Sequence, residues 1–223
     1  MIKYFTHTLI IFLLIGCGSS GNKSNDNKKP QNTNNLSYLV ATNNIQNISL
    51  PQSQNVIASG SCTTTKIYDT KGTKYTPNIK SGNNYPIKYS EYSLGSAEYK
   101  IIFSEYFTKY TDSKAILFYL SDNFFVNELP LDTTITIPKR SAVLYKLTVN
   151  EDNNFVIEQR YANLQLYDAS LNHIGSTDPW RQIKSKQIFS SEHSFLLKKG
   201  TYYIQGNVRG CLSQNADFML VKL

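Results

Sequence analysis

Three regimes of hydrophobic patterning divide this chain of 223 residues. Leu9–Ile15 is a continuous apolar run, Gly18–Asn35 holds no large apolar side chain, and from Leu36 onward apolar and polar residues alternate in short bursts. Tyr145-Lys146-Leu147-Thr148-Val149 alternates as a half-buried strand does. Phe155-Val156-Ile157, Leu164-Gln165-Leu166 and Tyr202-Tyr203-Ile204 read the same way. Glu151-Asp152-Asn153-Asn154 and Lys198-Lys199-Gly200 lie between such runs. They predict hairpin turns, because Asp, Asn and Gly tolerate the left-handed backbone of tight turns. No stretch keeps a helical period. The 16 Tyr and 11 Phe suit pleated surfaces. The pattern predicts an all-β chain of short strands folded as sandwiches.

The strand pattern also repeats. Ile48-Ser49-Leu50-Pro51 with Val56-Ile57 matches Ile135-Thr136-Ile137-Pro138 with Val143-Leu144. Lys66-Ile67-Tyr68-Asp69 matches Gln165-Leu166-Tyr167-Asp168. Leu94, Ala97, Tyr99 and Ile101 match Leu197, Gly200, Tyr202 and Ile204, and Ala115-Ile116-Leu117-Phe118 falls on Phe218-Met219-Leu220-Val221. Four matches in one order predict a tandem duplication, against chance recurrence of β patterning. On this alignment the first copy is about a dozen residues short between Val56 and Ile67, so two jelly-roll-like sandwiches are expected, the first abbreviated. The predicted organisation is a leader over 1–16, a flexible tether over 17–36, an abbreviated sandwich over 37–131 and a full one over 132–223.

The first two regimes carry an address. Lys3 precedes the apolar run, which is too short to cross a bilayer, since that takes roughly 20 apolar residues. It therefore reads as a signal peptide. It ends in Leu14-Ile15-Gly16-Cys17, which resembles the lipobox of bacterial lipoproteins. The resemblance implies cleavage after Gly16 and lipidation of Cys17 by diacylglyceryl and an acyl chain such as palmitate, a multiple anchor that holds a membrane stably. The polar stretch that follows suits a flexible tether. Gly18, rather than Asp, follows the lipidated cysteine, which by resemblance to enterobacterial sorting implies the outer membrane.

Charge and cysteines refine the picture. Removing residues 1–16 leaves 22 Lys+Arg against 16 Asp+Glu, a net +6 spread along the chain. Such a surface suits anionic envelope polymers or is simply a solvated one. No groove-reading motif points to nucleic acid. With Cys17 taken by lipid, Cys62 and Cys211 remain, and in an oxidising compartment they are expected to pair. Closing 149 positions stabilises by about 4–5 kcal/mol in the chain-entropy model. The pair is expected to staple one copy to the other and to compensate for the incomplete first sandwich.

Catalytic constellations are scarce. His173 and His193 have no neighbouring ligand at zinc spacing and read as surface histidines on turns. No G-x-S-x-G elbow or H-E-x-x-H occurs. Asp168, Asp178 and Asp217 are conceivable calcium ligands, although Asp168 ends a strand, where Asp commonly caps a turn. No metal and no cofactor is expected. The loop Thr177-Asp178-Pro179-Trp180-Arg181 holds the only tryptophan beside an arginine. That is the composition of a binding hot spot, and Trp180 could equally fold over the sandwich edge as core.

Thr133–Leu223 resembles the pre-peptidase C-terminal domain family, through SAVLYKLTV, Leu166-Tyr167-Asp168 and the Leu197–Ile204 strand. The resemblance implies a jelly-roll-like sandwich that accompanies secreted hydrolases without being the hydrolase. The expected function is a non-catalytic, membrane-anchored envelope lipoprotein that binds or scaffolds envelope glycans or proteins. The alternative is an accessory domain or degenerate hydrolase acting on envelope polymers.

Overall fold

The computed structural model describes residues 38–41, 45–80, 87–105, 112–121, 126–177, 187–188 and 194–223. Every regular element among them is a strand. The first half holds β1 (Tyr38–Ala41), β2 (Ile45–Leu50), β3 (Gln54–Ser61), β4 (Thr63–Asp69), β5 (Lys74–Tyr75), β6 (Ile79–Lys80), β7 (Ile87–Leu94), β8 (Ala97–Glu105) and β9 (Lys114–Tyr119). The second holds β10 (Ile135–Ile137), β11 (Ala142–Val149), β12 (Asn153–Arg160), β13 (Ala162–Asp168), β14 (His173–Ser176), β15 (Gln187–Ile188), β16 (Phe195–Leu197), β17 (Gly200–Val208) and β18 (Ala216–Lys222). The all-β expectation holds.

Each half is a two-sheet sandwich. The sheets of the first run β1-β9-β3-β7-β6 and β2-β8-β4-β5, and those of the second β10-β18-β12-β16 and β11-β17-β13-β14-β15. Apart from the short extra strands β6 and β15, the two orders are the same, and most successive strands alternate between sheets in the manner of a jelly roll. Two expected hairpins are therefore corrected. Residues 151–154 join β11 to β12 and residues 198–200 join β16 to β17, but these strands belong to opposite sheets. The connections arch across the sandwich edge. A turn sequence specifies a reversal, not whether the returning strand pairs with its predecessor or faces it. True hairpins join β4 to β5 and β13 to β14.

The first sandwich is not abbreviated. Tyr99 of β8 lies opposite Ile48 and Asp69, and Tyr202 of β17 lies opposite Leu147 and Asp168. Ile48 thus corresponds to Leu147 and Asp69 to Asp168, both at an offset of 99 (147 − 48 and 168 − 69). Val56 corresponds to Phe155 at the same offset, because they face Tyr119 and Lys222, which are themselves equivalent. Residues 45–69 therefore map onto 144–168 without a gap. The matches in β4, β8 and β9 stand. The pairing of Ile48–Pro51 with Ile135–Pro138 was one strand out of step, and the missing dozen residues arose from that shift.

Shared details support the equivalence. The Asp69 carboxylate accepts the Lys71 and Thr73 backbone N–H groups, and that of Asp168 accepts Ser170 and Asn172. In both turns the residue three after the Asp has positive φ: Gly72 at 84° and Leu171 at 61°. The Tyr99 hydroxyl donates to the Gly95 carbonyl and the Tyr202 hydroxyl to the Lys198 carbonyl, each four residues back.

Three apolar clusters hold the fold. Ile48, Val56, Ile67, Tyr92, Ile101 and Phe103 fill the first sandwich, and Leu147, Phe155, Leu164, Ile204, Phe218 and Leu220 fill the second. The third lies between them, with Ile57, Ile116 and Phe118 from β3 and β9 meeting Ala142, Leu144, Tyr167 and Tyr203 from β11, β13 and β17. Inner-sheet strands are consequently buried on both faces, as in the unbroken buried run of β13. Each such side chain contributes about 1.5–3 kcal/mol on burial, so the two sandwiches form a single stack of sheets.

Candidate functional site

Two places stand out: a polar seam between the sandwiches and a cleft on the outer sheet of the first.

The seam follows from strand alternation. In β13, Leu164 and Leu166 point into the second core, which turns Asn163, Gln165 and Tyr167 toward the first sandwich. In β17 the same alternation turns Tyr203, Gln205 and Asn207 that way. The Ser61 hydroxyl donates to the Val208 carbonyl at 2.8 Å, and the Asn207 side-chain amide donates to the Ser59 hydroxyl at 3.0 Å. The Gln165 amide donates to the Ser176 hydroxyl at 3.0 Å, and its carbonyl oxygen lies 2.8 Å from His173 Nε2. Gln205 is fully buried, yet neither atom of its side-chain amide has a partner among the described residues. Phe118 meets Tyr167 edge-on at 5.5 Å, and Tyr167 meets His173 edge-on at 5.5 Å. The seam positions one sandwich against the other.

His173 is accordingly corrected. It is 4% exposed, on β14 rather than a surface turn. Its carrier strand presents one face to the seam, and the second sandwich lying under it was invisible to local reading. His193 lies outside the described residues.

At one end of the seam Cys62 is disulfide-bonded to Cys211 with Cα atoms 5.3 Å apart, as expected. The bridge does join the two copies, from the β3–β4 turn to the β17–β18 loop. It has no incomplete sandwich to compensate. At the same junction Arg140 forms an ion pair with Asp112, and the Lys114 N–H donates to the Arg140 carbonyl at 2.8 Å. Arg140 holds the Asp112 carboxyl below its ordinary value, mainly through their hydrogen bond.

The cleft has a volume of about 480 Å³ and runs along the outer face of β2 and β8, lined by Asn47, Ser49, Asp69, Glu98, Tyr99 and Lys100. Asp69 is committed to its turn, whose backbone hydrogen bonds, chiefly from Thr73, keep its carboxyl below the ordinary value. A shallower hollow on the outer sheet of the second sandwich contains Arg160 and Asp217. There Asp217 accepts from Arg160 at 2.6 Å and Thr136 at 2.9 Å, and the Arg160 bond is the main cause of its lowered pKa.

Of the conceivable calcium ligands, Asp168 caps its turn and Asp217 is paired with Arg160, on opposite sheets of the sandwich. Asp178 lies outside the described residues. No group of three or more potential metal ligands occurs among the described residues. Cys17, Trp180 and Arg181 also lie outside them. Sequence reading missed the polar seam. The signal was present in Asn163, Gln165, Gln205 and Asn207, polar residues alternating within two of the most apolar strands.

No protein-family model matches the chain, and no curated protein matches it. Among solved structures, a protein from Eubacterium rectale assigned as secreted aligns at 11% identity over 80% of this chain and 69% of its own, with a TM-score of 0.27. A likeness that weak carries no argument about function.

Proposed function

We propose that this protein is a lipid-anchored bacterial envelope protein whose double jelly roll binds or scaffolds other envelope components without catalysing a reaction. The observation that carries this reading is the order of features along the chain. A lipobox cysteine at position 17 is followed by a polar stretch and then by two sandwiches stapled by Cys62–Cys211. A disulfide of this kind belongs to an oxidising compartment, and two or more acyl chains on Cys17 would give stable anchoring. Gly18 favours the outer membrane as the destination. The broad likeness to the pre-peptidase C-terminal domain is supported by the jelly-roll strand order, a statement about fold that leaves function to the binding site.

Fractionation of cells grown with labelled palmitate tests the anchor. The native chain is expected to carry label and sediment with membranes, and Cys17→Ala to lose both. A membrane-bound, unlabelled Cys17→Ala protein would overturn the premise. Protease shaving of intact cells then reports which way the sandwiches face. For binding, Trp180→Ala and Arg181→Ala are expected to weaken capture of envelope glycan or protein. Hydrolysis of envelope polymer abolished by a single His or Asp substitution would instead establish the hydrolase alternative.

A further inference from the structure

Among the described residues, the two sandwiches differ in how one sheet edge is covered. In the second, β11 is an edge strand whose outer side is covered by the segment Val126–Leu131, which precedes β10. The Lys146 N–H donates to the Asn127 carbonyl at 2.9 Å and the Leu129 N–H to the Lys146 carbonyl at 2.6 Å. The Glu128 carboxylate accepts the Thr148 N–H at 2.7 Å and lies 3.6 Å from the Lys146 ammonium. Leu129 is 4% exposed and belongs to the second core. The cover is thus a short parallel strand, held by backbone bonds, one acid and one apolar anchor.

The equivalent edge of the first sandwich is β2, with Asn47 in place of Lys146 and Ser49 in place of Thr148. Nothing pairs with its outer side among the described residues. Asn47 and Ser49 are exposed along this strand, whereas Ile48 between them turns into the first core. Where the second sandwich has Tyr203, close enough to feel the charge of Glu128, the first has Lys100. The polar stretch Gly18–Asn35 has no large apolar side chain to serve as an anchor like Leu129.

We propose that the β2 edge docks an extended segment of a partner protein, added as a parallel strand, in which an acidic residue directly precedes a large apolar one. Backbone N–H and C=O groups of Asn47 and the N–H of Ser49 would supply the pairing, as is usual when a strand is added to an open sheet edge. The acid would take the position of Glu128 and face Lys100. The apolar residue would enter beside Ile48 and Tyr99. This deepens the binding reading above and stands whether or not Cys17 is lipidated.

The test is hydrogen exchange of the detergent-solubilised full chain with a blocked peptide of residues 126–131 at about 1 mM, a concentration suited to a short strand. Exchange in the fragment covering Ile45–Leu50 is expected to slow by about threefold or more. A peptide with lysine in place of the glutamate should lose that effect, and Lys100→Glu should reverse the preference. The proposal is overturned if the fragment is unaffected by either peptide or if it is already slow without peptide, because the chain then covers its own edge. It is equally overturned if the change falls on Ala142–Val149, which would mean that the peptide only displaces the existing cover. Equal protection by both peptides would remove the assigned role of Lys100. Failure of anchoring in the fractionation experiment would leave this outcome untouched.

Discussion

Cys62 and Tyr161 occupy the same corner of their respective sandwiches, and both hold a left-handed backbone, with φ of 60° and 58°. Each links the equivalent strand pair, β3 to β4 or β12 to β13. In the second sandwich the corner carries a half-exposed tyrosine. In the first it is buried and bonded to Cys211. The shared strand order gives both sandwiches this corner, and in the first the cysteine makes it a junction.

Removing that junction should lower stability without separating the sandwiches. The Cys62→Ala/Cys211→Ala variant is expected to unfold at lower urea concentration, by about 2–4 kcal/mol. Ile57, Ile116, Phe118, Leu144 and Tyr203 still bury the interface, so the transition should remain single. Replacing Cys62 with Gly instead of Ala should recover about 1 kcal/mol, because the corner needs positive φ. Urea titration of the three proteins measures both effects, and two separated transitions would refute the single stack.

Two glycines sit where a strand passes close to its neighbours. A methyl group on Gly206 would meet the ends of Ile137 and Leu164 side chains at 2.9 Å, whereas one on Gly60 would meet the Ala115 Cα at 2.8 Å. Side-chain ends can rotate away, but backbone cannot. Gly206→Ala is expected to cost about 1–3 kcal/mol, and Gly60→Ala more than Gly206→Ala. Thermal unfolding of the two variants gives the order directly.

Much of this architecture is legible in the sequence, and the part that is not has a physical cause. Tyr68-Asp69 and Tyr167-Asp168 identify equivalent turns because the Asp must cap and the next strand must return. Strand alternation has a period of two residues, so Ile48-Ser49-Leu50 fits Ile135-Thr136-Ile137 as well as it fits its true counterpart Leu147-Thr148-Val149. Extending the offset of 99 upstream from Asp69 finds the right partner, since Val56 then falls on Phe155 and Cys62 on Tyr161. Arch and hairpin look alike in sequence because Glu151–Asn154 has turn chemistry in either case. The seam stayed hidden because polar residues in a strand normally mean solvent, and here they mean a second sandwich.

Gln205 tests how that seam is held. Its amide is buried and unpartnered among the described residues, and such a group costs about 1–3 kcal/mol relative to a satisfied one. Gln205→Met keeps the length and removes the polar atoms. It is expected to raise stability by about 1 kcal/mol, a Tm increase of about 2–4 °C for a chain of this size. Gln165 bonds to both Ser176 and His173, so Gln165→Met should destabilise. Calorimetry on the pair separates an idle amide from an engaged one, and destabilisation by both would show that Gln205 is engaged too.

Acid should loosen the second sandwich through Asp217. Arg160 and Thr136 favour its carboxylate, so its folded pKa lies below the ordinary value of 3.8. A carboxyl with a lowered pKa contributes its stability above the unfolded value and loses it as pH falls through the folded value. Asp217→Asn should therefore be less stable than the native protein at neutral pH, and the difference should vanish under acid. Asp112, held down by Arg140, should act in the same direction at the inter-sandwich junction. The pair is exposed enough that salt will weaken the effect. Urea midpoints of native and Asp217→Asn proteins at about pH 7 and about pH 2.5 check the sign. A difference that persists unchanged in acid would mean that the Asn disturbs packing around Phe218 rather than removing a charge.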